Sequence, residues 1–320
     1  MRNNTVALKS SMATTSSPFS RKLEILYYTP YFRETLKEAI GFTPALAEDL
    51  CTVSTDHNRI SSADALVFHL PNMKEPPRIP KKPGQPWVAM SMESDANYPH
   101  QTDPDFMRHF DLRMNFRRDS DVPLLYLEPS HLPLFNKPPK WKFRRAPAVY
   151  FASNNFALNN RHELVQELMK HLKVDSYGKS LQNRYPVKDK GRMTKLDTIS
   201  RYLFYFAFEN SNSTDYVSEK VFDGLIAGTV PVYLGAPNID DYLPGNKCII
   251  KVSDFSDPLD LARYLISLSK NQKEYRSYLA WKREPLRQSF LDLIQPMHTP
   301  PLRRLCHKLA DVLNGPCAMI

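Results

Sequence analysis

The chain has 320 residues, enough to bury a sizeable core and better suited to two domains of ordinary size than to one. A hydrophobic content of 42% and an aromatic content of 11% exclude a disordered chain. The net charge of +9 fits an anionic ligand, a nucleic acid, an anionic membrane surface or simple solubility. Basic residues fall in short clusters (Lys81-Lys82, Arg117-Arg118, Arg144-Arg145, Arg303-Arg304) and no nucleic-acid-binding motif accompanies them, which favours an anionic substrate.

Residues 1–20 are rich in Ser and Thr, lack the apolar middle of a signal peptide and read as a disordered tail. No stretch approaches the roughly 18 apolar residues that span a bilayer. Order is expected from the β-type run Leu23 to Tyr28, then a buried strand from Ala63 to Leu70. A proline-rich loop, Pro76 to Pro86, feeds a strand from Trp87 to Met92. Prolines cluster again between Pro129 and Pro147, as in an interdomain linker.

The second half alternates strand and helix. Ala148 to Phe151 is a strand, and Leu164, Leu168, Met169 and Leu172 share one helix face. Phe204 to Phe208 is the next strand, followed by a helix from Tyr216 to Ala227 that Gly228 closes, and a strand from Val230 to Leu234. This βαβαβ order implies a parallel sheet covered on both faces. Leu259 to Leu313 reads as mostly helical.

Ligands of open α/β sheets bind beyond the carboxyl ends of the strands. The stretch Phe208-Glu209-Asn210-Ser211 to Glu219-Lys220 is an apolar strand end, a polar loop and a helix start, which offers N–H groups and positive potential to a phosphate. Lys220 adds a full charge, and Glu219 is an acceptor for a ribose or sugar hydroxyl. The equal alternative has Asp215 as a helix cap and Glu219 and Lys220 as a solvated face. Ser153-Asn154-Asn155 with Arg161 is a second candidate, since a guanidinium gives paired donors to a diphosphate; the plainer role for Arg161 is a salt bridge at a helix start. Asp175-Ser176-Tyr177-Gly178 also follows a short strand and reads equally as a turn.

Glu93 follows the strand Trp87 to Met92, where a carboxylate facing a cleft suits a general base; a loop carboxylate with no role is the plain alternative. His69, within an apolar strand, reads as a hydrogen-bonded core residue. Asp119-Ser120-Asp121 reads as an ion-paired turn with Arg117 and Arg118 rather than a metal site. The absence of Gly-x-Gly-x-x-Gly, phosphate-loop, Gly-x-Ser-x-Gly and His-Glu-x-x-His motifs weighs against dehydrogenase, kinase, serine-hydrolase and zinc-protease activities. The cysteines Cys51, Cys248, Cys306 and Cys317 contain no Cys-x-x-Cys pair; Cys306 with Cys317 is the easiest disulfide to close, and free core thiols are an equal reading. Asn3-Asn4-Thr5 and Asn212-Ser213-Thr214 are sequons of little weight.

The run from Phe208 to Lys220, continued by Ala227-Gly228-Thr229-Val230-Pro231-Val232, resembles the signature of the α-1,3/1,4-fucosyltransferases of glycosyltransferase family 10. Ser153-Asn154-Asn155 with Arg161, Val174 to Gly178, Tyr278 to Lys282, Ser91 to Ser94 and Phe116 to Pro123 are similar to further blocks of that family, in particular of plant members. The resemblance implies a GT-B fold, two Rossmann-like domains facing across a cleft. The expected division is an acceptor-binding domain over 21–140, a GDP-fucose-binding domain over 141–290 and a C-terminal helical extension over 291–320. It further implies inverting transfer of L-fucose from GDP-β-L-fucose to an N-acetylglucosamine hydroxyl of a glycan, with the 4-hydroxyl of an outer-arm residue weakly favoured.

By position, Glu93 would be the base. Arg161 and Lys220 would hold the diphosphate, and Asn154, Asn210, Tyr216, Glu219 and Tyr177 would complete the donor site. No tightly bound cofactor and no metal ligands are implied, a divalent cation being at most stimulatory, and no nucleic acid partner. A Golgi lumenal location follows, in a truncated or soluble form because the family's membrane anchor is not in this chain. Leu203 stands where members carry a lysine, so one phosphate contact is expected to be missing. That loss leaves room for a catalytically impaired carbohydrate-binding homologue, and a same-fold transferase of another nucleotide sugar is the second alternative.

Overall fold

The computed structural model describes residues 21–32, 47–142, 146–185 and 190–314. The tail over 1–20 with its sequon at Asn3, Arg144-Arg145 and Cys317 lie outside the described residues.

Two five-stranded parallel sheets form the molecule. The first contains β1 (Leu23–Tyr27), β2 (Cys51–Ser54), β3 (Ala65–His69), β4 (Trp87–Ser91) and β5 (Leu112–Asn115), in the order β2-β1-β3-β4-β5. The second contains β6 (Ala148–Tyr150), β7 (Val174–Ser176), β8 (Phe204–Phe208), β9 (Val230–Leu234) and β10 (Ile250–Lys251), in the order β10-β9-β8-β6-β7. Every residue of β3, β4 and β8 is buried, the mark of a parallel strand covered on both faces. Each phenylalanine of the β8 run Phe-Tyr-Phe-Ala-Phe contributes about 1.5–3 kcal/mol through burial. The register Tyr150↔Phe206↔Val232 sets the strand ends of β6, β8 and β9 side by side.

The helix expected from Tyr216 runs instead over Glu219–Ile226. Asp215 adopts a left-handed conformation (φ 66°), and the N–H of Val217 bonds back to its carbonyl (2.9 Å), so residues 215–217 form a tight turn. Ser218 caps the helix in place of Asp215, and Val221, Phe222 and Leu225 anchor it on the sheet. At its far end Gly228 takes φ 66°, and two lysines cap the carbonyls: Lys282 donates to Leu225 (2.9 Å) and Lys142 to Gly228 (2.7 Å). Burial opposes both ammonium charges, lowering Lys142 to about 7 and Lys282 to about 8.

The proline-rich stretch after Pro129 carries a short helix, Leu132–Phe135, whose Phe135 enters the core of the second domain. The last helix, Pro301–Asn314, returns to the first domain, where Leu302, Leu305 and Leu309 pack with Leu23, Ile25 and Val67. It brings Cys306 against Cys51, sulfur to sulfur 2.7 Å; the reading that pairs Cys306 with Cys317 falls outside the described residues. Cys51, Cys248 and Cys306 are buried free thiols. Among the described residues no helix is long and apolar enough to cross a membrane.

Candidate active site

The carboxyl ends of β8 and β9 carry an ion network at the start of the helix Glu219–Ile226. Glu209, the first residue beyond β8, is fully buried. Its carboxylate accepts bonds from the Ser218 N–H (2.8 Å), the Ser218 hydroxyl (2.7 Å) and the Lys220 ammonium (3.1 Å). Lys220 also donates to the Ser218 hydroxyl (2.7 Å) and lies 3.7 Å from Glu219. Burial works against its charge, yet Glu209 and Glu219 hold the ammonium well above its ordinary pKa. Glu219, despite burial, is held below the usual carboxylate range by Lys220 and Lys195. Lys195, on the helix Arg192–Ile199, is ion-paired with the fully buried Asp223 (2.9 Å), which also accepts two hydrogen bonds from Arg192, and stands 3.6 Å from Glu219. Buried charges persist where pairing and hydrogen bonds compensate their desolvation.

Two glycines permit this packing. A Cβ on Gly235 would sit 2.6 Å from Glu209 Cγ and 2.5 Å from the Tyr233 hydroxyl. At Gly178 it would meet the Ala152 carbonyl oxygen at 2.1 Å, where the turn after β7 crosses the end of β6.

Residues expected from the second domain fall around this network. Arg161 is buried and its guanidinium donates to the Phe208 (3.2 Å) and Asn154 (2.7 Å) carbonyls, tying two strand ends together and leaving Nε without a partner. It is thus neither a surface salt bridge nor an open cation. Asn154 accepts the Phe156 N–H in a side-chain turn (2.8 Å), and Asn210 has a buried, unpartnered Oδ1. Tyr177 stacks on Phe151 (5.2 Å between centroids) and its hydroxyl lies 3.2 Å from that of Tyr202. Tyr216 is buried between Phe116 and Tyr126 of the first domain. Leu203 lies before β8, at the amino end of that central strand, whereas Lys220 stands beyond its carboxyl end. A charge at position 203 would therefore not belong to this network, where Lys195 supplies a second cation.

The first domain faces the network with Glu93. Its backbone is pinned by Ser91 (N–H to Oγ, 3.0 Å) and Gln101 (Nε2 to carbonyl, 3.3 Å). Burial raises its carboxyl pKa, with Lys220 pulling down and Glu219 pushing up, so the three groups act on one another across the cleft. Neighbouring Ser94 bonds Ser211 (2.6 Å) and Ser213 (2.7 Å) of the second domain. Tyr126 donates to the Met92 carbonyl and faces Tyr216 edge-on.

His69 is a core residue, bonded to Asn72 (2.7 Å) and lowered by burial to about 4, with Nε2 unpartnered. Asp119-Ser120-Asp121 is an ion-paired turn, although its partners are Arg113 on Asp119 (3.5 Å) and Lys308 near Asp121 (3.6 Å). Asp175 is buried and paired with Arg184 (2.9 Å). Among the described residues no group of three His, Cys, Asp or Glu side chains is placed to hold a metal. Glu209, Ser218, Lys195 and Asp223 were not singled out from sequence. The rule that selects Glu93, a carboxylate directly after an apolar strand, also selects Glu209; nothing comparable marks Lys195.

The sequence matches the family model "Glycosyltransferase family 10 (fucosyltransferase) C-term" over residues 141–314, and "Fucosyltransferase, N-terminal" over 20–127. It is 34% identical to GDP-fucose protein O-fucosyltransferase 3 of Gallus gallus over 81% of this chain, and spans 57% of that protein's length. It is 37% identical to 4-galactosyl-N-acetylglucosaminide 3-alpha-L-fucosyltransferase FUT6 of Pan troglodytes, over 87% of this chain and 77% of the relative. A crystal structure of an alpha1,3-fucosyltransferase with GDP superposes with a TM-score of 0.64 at 18% identity, over 95% of this chain and 93% of the other, which shows the GT-B fold. The chain belongs to glycosyltransferase family 10, the fucosyltransferases.

Proposed function

We propose that this protein transfers L-fucose from GDP-β-L-fucose to a hydroxyl of an N-acetylglucosamine unit of a glycan, with inversion, as a step of protein glycosylation in the Golgi lumen. The observation that carries the reading is that Glu93 and Lys220 flank one cleft, bridged beside Glu93 by the Ser94 bonds to Ser211 and Ser213, with burial raising the Glu93 carboxyl pKa and Glu209 and Glu219 holding the Lys220 ammonium charged. Glu93 takes the proton of the acceptor hydroxyl as that oxygen forms its bond to the fucose anomeric carbon. The bond from that carbon to the β-phosphate oxygen breaks on the opposite side, giving an α-linked product and GDP. The charge arriving on the diphosphate is met by Lys220, backed by Lys195, held in place before the reaction begins. Asn154, Arg161, Tyr177, Asn210, Tyr216 and Glu219 complete the donor site. Arg161 acts by fixing the loop at Asn154, and Glu219 as a hydroxyl acceptor.

The relatives' names include one donor and two acceptor classes, a glycan and a protein hydroxyl. Transfer is therefore measured with a panel of nucleotide sugars against N-acetylglucosamine-terminated glycans, a galactosyl-N-acetylglucosamine and a Ser/Thr peptide, and the product is read by NMR. GDP-fucose as the active donor, an N-acetylglucosamine product and an α-anomeric fucose signal at the 3- or 4-oxygen are expected. Turnover of another nucleotide sugar in preference, or fucose on the peptide alone, would contradict the reading.

A further inference from the structure

Arg118 lies in the turn after β5 of the first domain, yet its bonds are to the second. Its backbone N–H and Nε donate to the two carboxylate oxygens of Asp215 (3.3 and 3.0 Å), and a terminal nitrogen donates to Asp241 (2.7 Å). The guanidinium carbon stands 5.7 Å over the Tyr242 ring. Asp215 is the residue that holds φ 66°, a left-handed conformation that costs a non-glycine residue energy, though Asp tolerates it better than most, and that the surrounding bonds help to hold. Three second-domain bonds contribute: Asn238 accepts the Asp215 N–H (2.9 Å), and the Asn238 amide (2.8 Å) and Tyr242 hydroxyl (2.9 Å) donate to its carboxylate. Those partners are neutral. Arg118 is the cation among these bonds. Without it, the Asp215 and Asp241 carboxylates would share one Asn238 amide. The donor site begins directly after Asp215, with Tyr216, then Ser218, which caps the helix and bonds Glu209, then Lys220.

We propose that Arg118 is a positioning residue of the donor site, which acts across the cleft by fixing the left-handed turn at Asp215 and thereby the placement of Tyr216, Ser218 and Lys220. The inference rests on the donor site proposed for Lys220 and its neighbours. Phe116, two residues earlier, reinforces it by packing edge-on against Tyr216 (5.2 Å). The first domain thus brings the base and also shapes the pocket whose substrate the base serves.

Steady-state kinetics with GDP-fucose and GDP affinity test this on the full chain. Arg118→Ala should raise the donor KM and the GDP Kd roughly tenfold or more, since small misplacements of positioned groups are costly. Arg118→Lys should fall between, because a single ammonium cannot bond both carboxylates as the fork does. Arg118→Ala combined with Asp215→Gly should be no worse than Arg118→Ala alone, since a residue acting through Asp215 gives non-additive effects. Arg303→Ala, which cuts an ion pair to Asp49 away from the cleft, should leave the donor KM at the wild-type value. A fall in Tm with the donor KM of Arg118→Ala within twofold of wild type would overturn the proposal, as would additive effects in the double variant. Failure of the wild-type protein to bind GDP would instead strike the donor reading itself, and the two failures are distinct.

Discussion

The carboxyl ends of the two sheets solve opposite problems. Beyond β8, Glu209, Ser218, Lys220, Glu219, Lys195 and Asp223 form a closed network in which each buried charge has a partner. Beyond β4, Glu93 stands half-buried with its backbone pinned and its carboxyl pKa raised by burial. In the proposed mechanism the first arrangement fixes a charge that must not move, and the second keeps a group ready to take a proton. That mechanism places rigid electrostatics and an acid–base group in separate domains, facing one cleft.

Breaking each half should therefore cost different things. Lys220→Ala leaves the buried Glu209 carboxylate without a cation, with only its Ser218 bonds, and should destabilise the protein by about 3–5 kcal/mol in denaturant titration while weakening GDP binding. A stable variant with unchanged GDP affinity would break the comparison. Gly178→Ala drives a methyl into the Ala152 carbonyl, and should cost about 1–3 kcal/mol by thermal unfolding. No loss there would show that the turn after β7 yields easily.

On the Glu93 side the signs reverse. Its folded pKa exceeds that of the unfolded chain, so the folded state binds the proton more tightly. Stability from that proton is fully present below the unfolded value and is lost as pH rises through the folded one. Glu93→Gln should accordingly be as stable as wild type or slightly more stable at neutral pH, and less so would contradict the burial argument. As a base Glu93 must be ionised, so kcat/KM should fall on acidification through a limb lying above the ordinary glutamate range. A limb at or below that range would rule out a desolvated base.

Much of this was legible in sequence wherever one strand and its end suffice. The continuous apolar runs located β3, β4 and β8, and the polar residues at their ends located Glu93 and the Glu219-Lys220 step. The start of the helix at Glu219 was not legible, because it depends on the left-handed turn at Asp215, which is held by Arg118, Asn238 and Tyr242 from distant parts of the chain. The same reason hid Lys195, whose role exists only where its helix meets Asp223. Leu203 misled because sequence places it near the signature, whereas the length of β8 separates it from the strand's carboxyl end. Burial of Arg161 was equally invisible, since a guanidinium that bonds carbonyls and one that bonds phosphate read alike.

In the proposed mechanism Glu93 is the base and the network across the cleft is not. Turnover of Glu93→Gln at saturating GDP-fucose and acceptor tests it most directly. A loss on the order of 10² to 10⁴ is predicted, the range of general-base contributions. Turnover within a few-fold of wild type would contradict it.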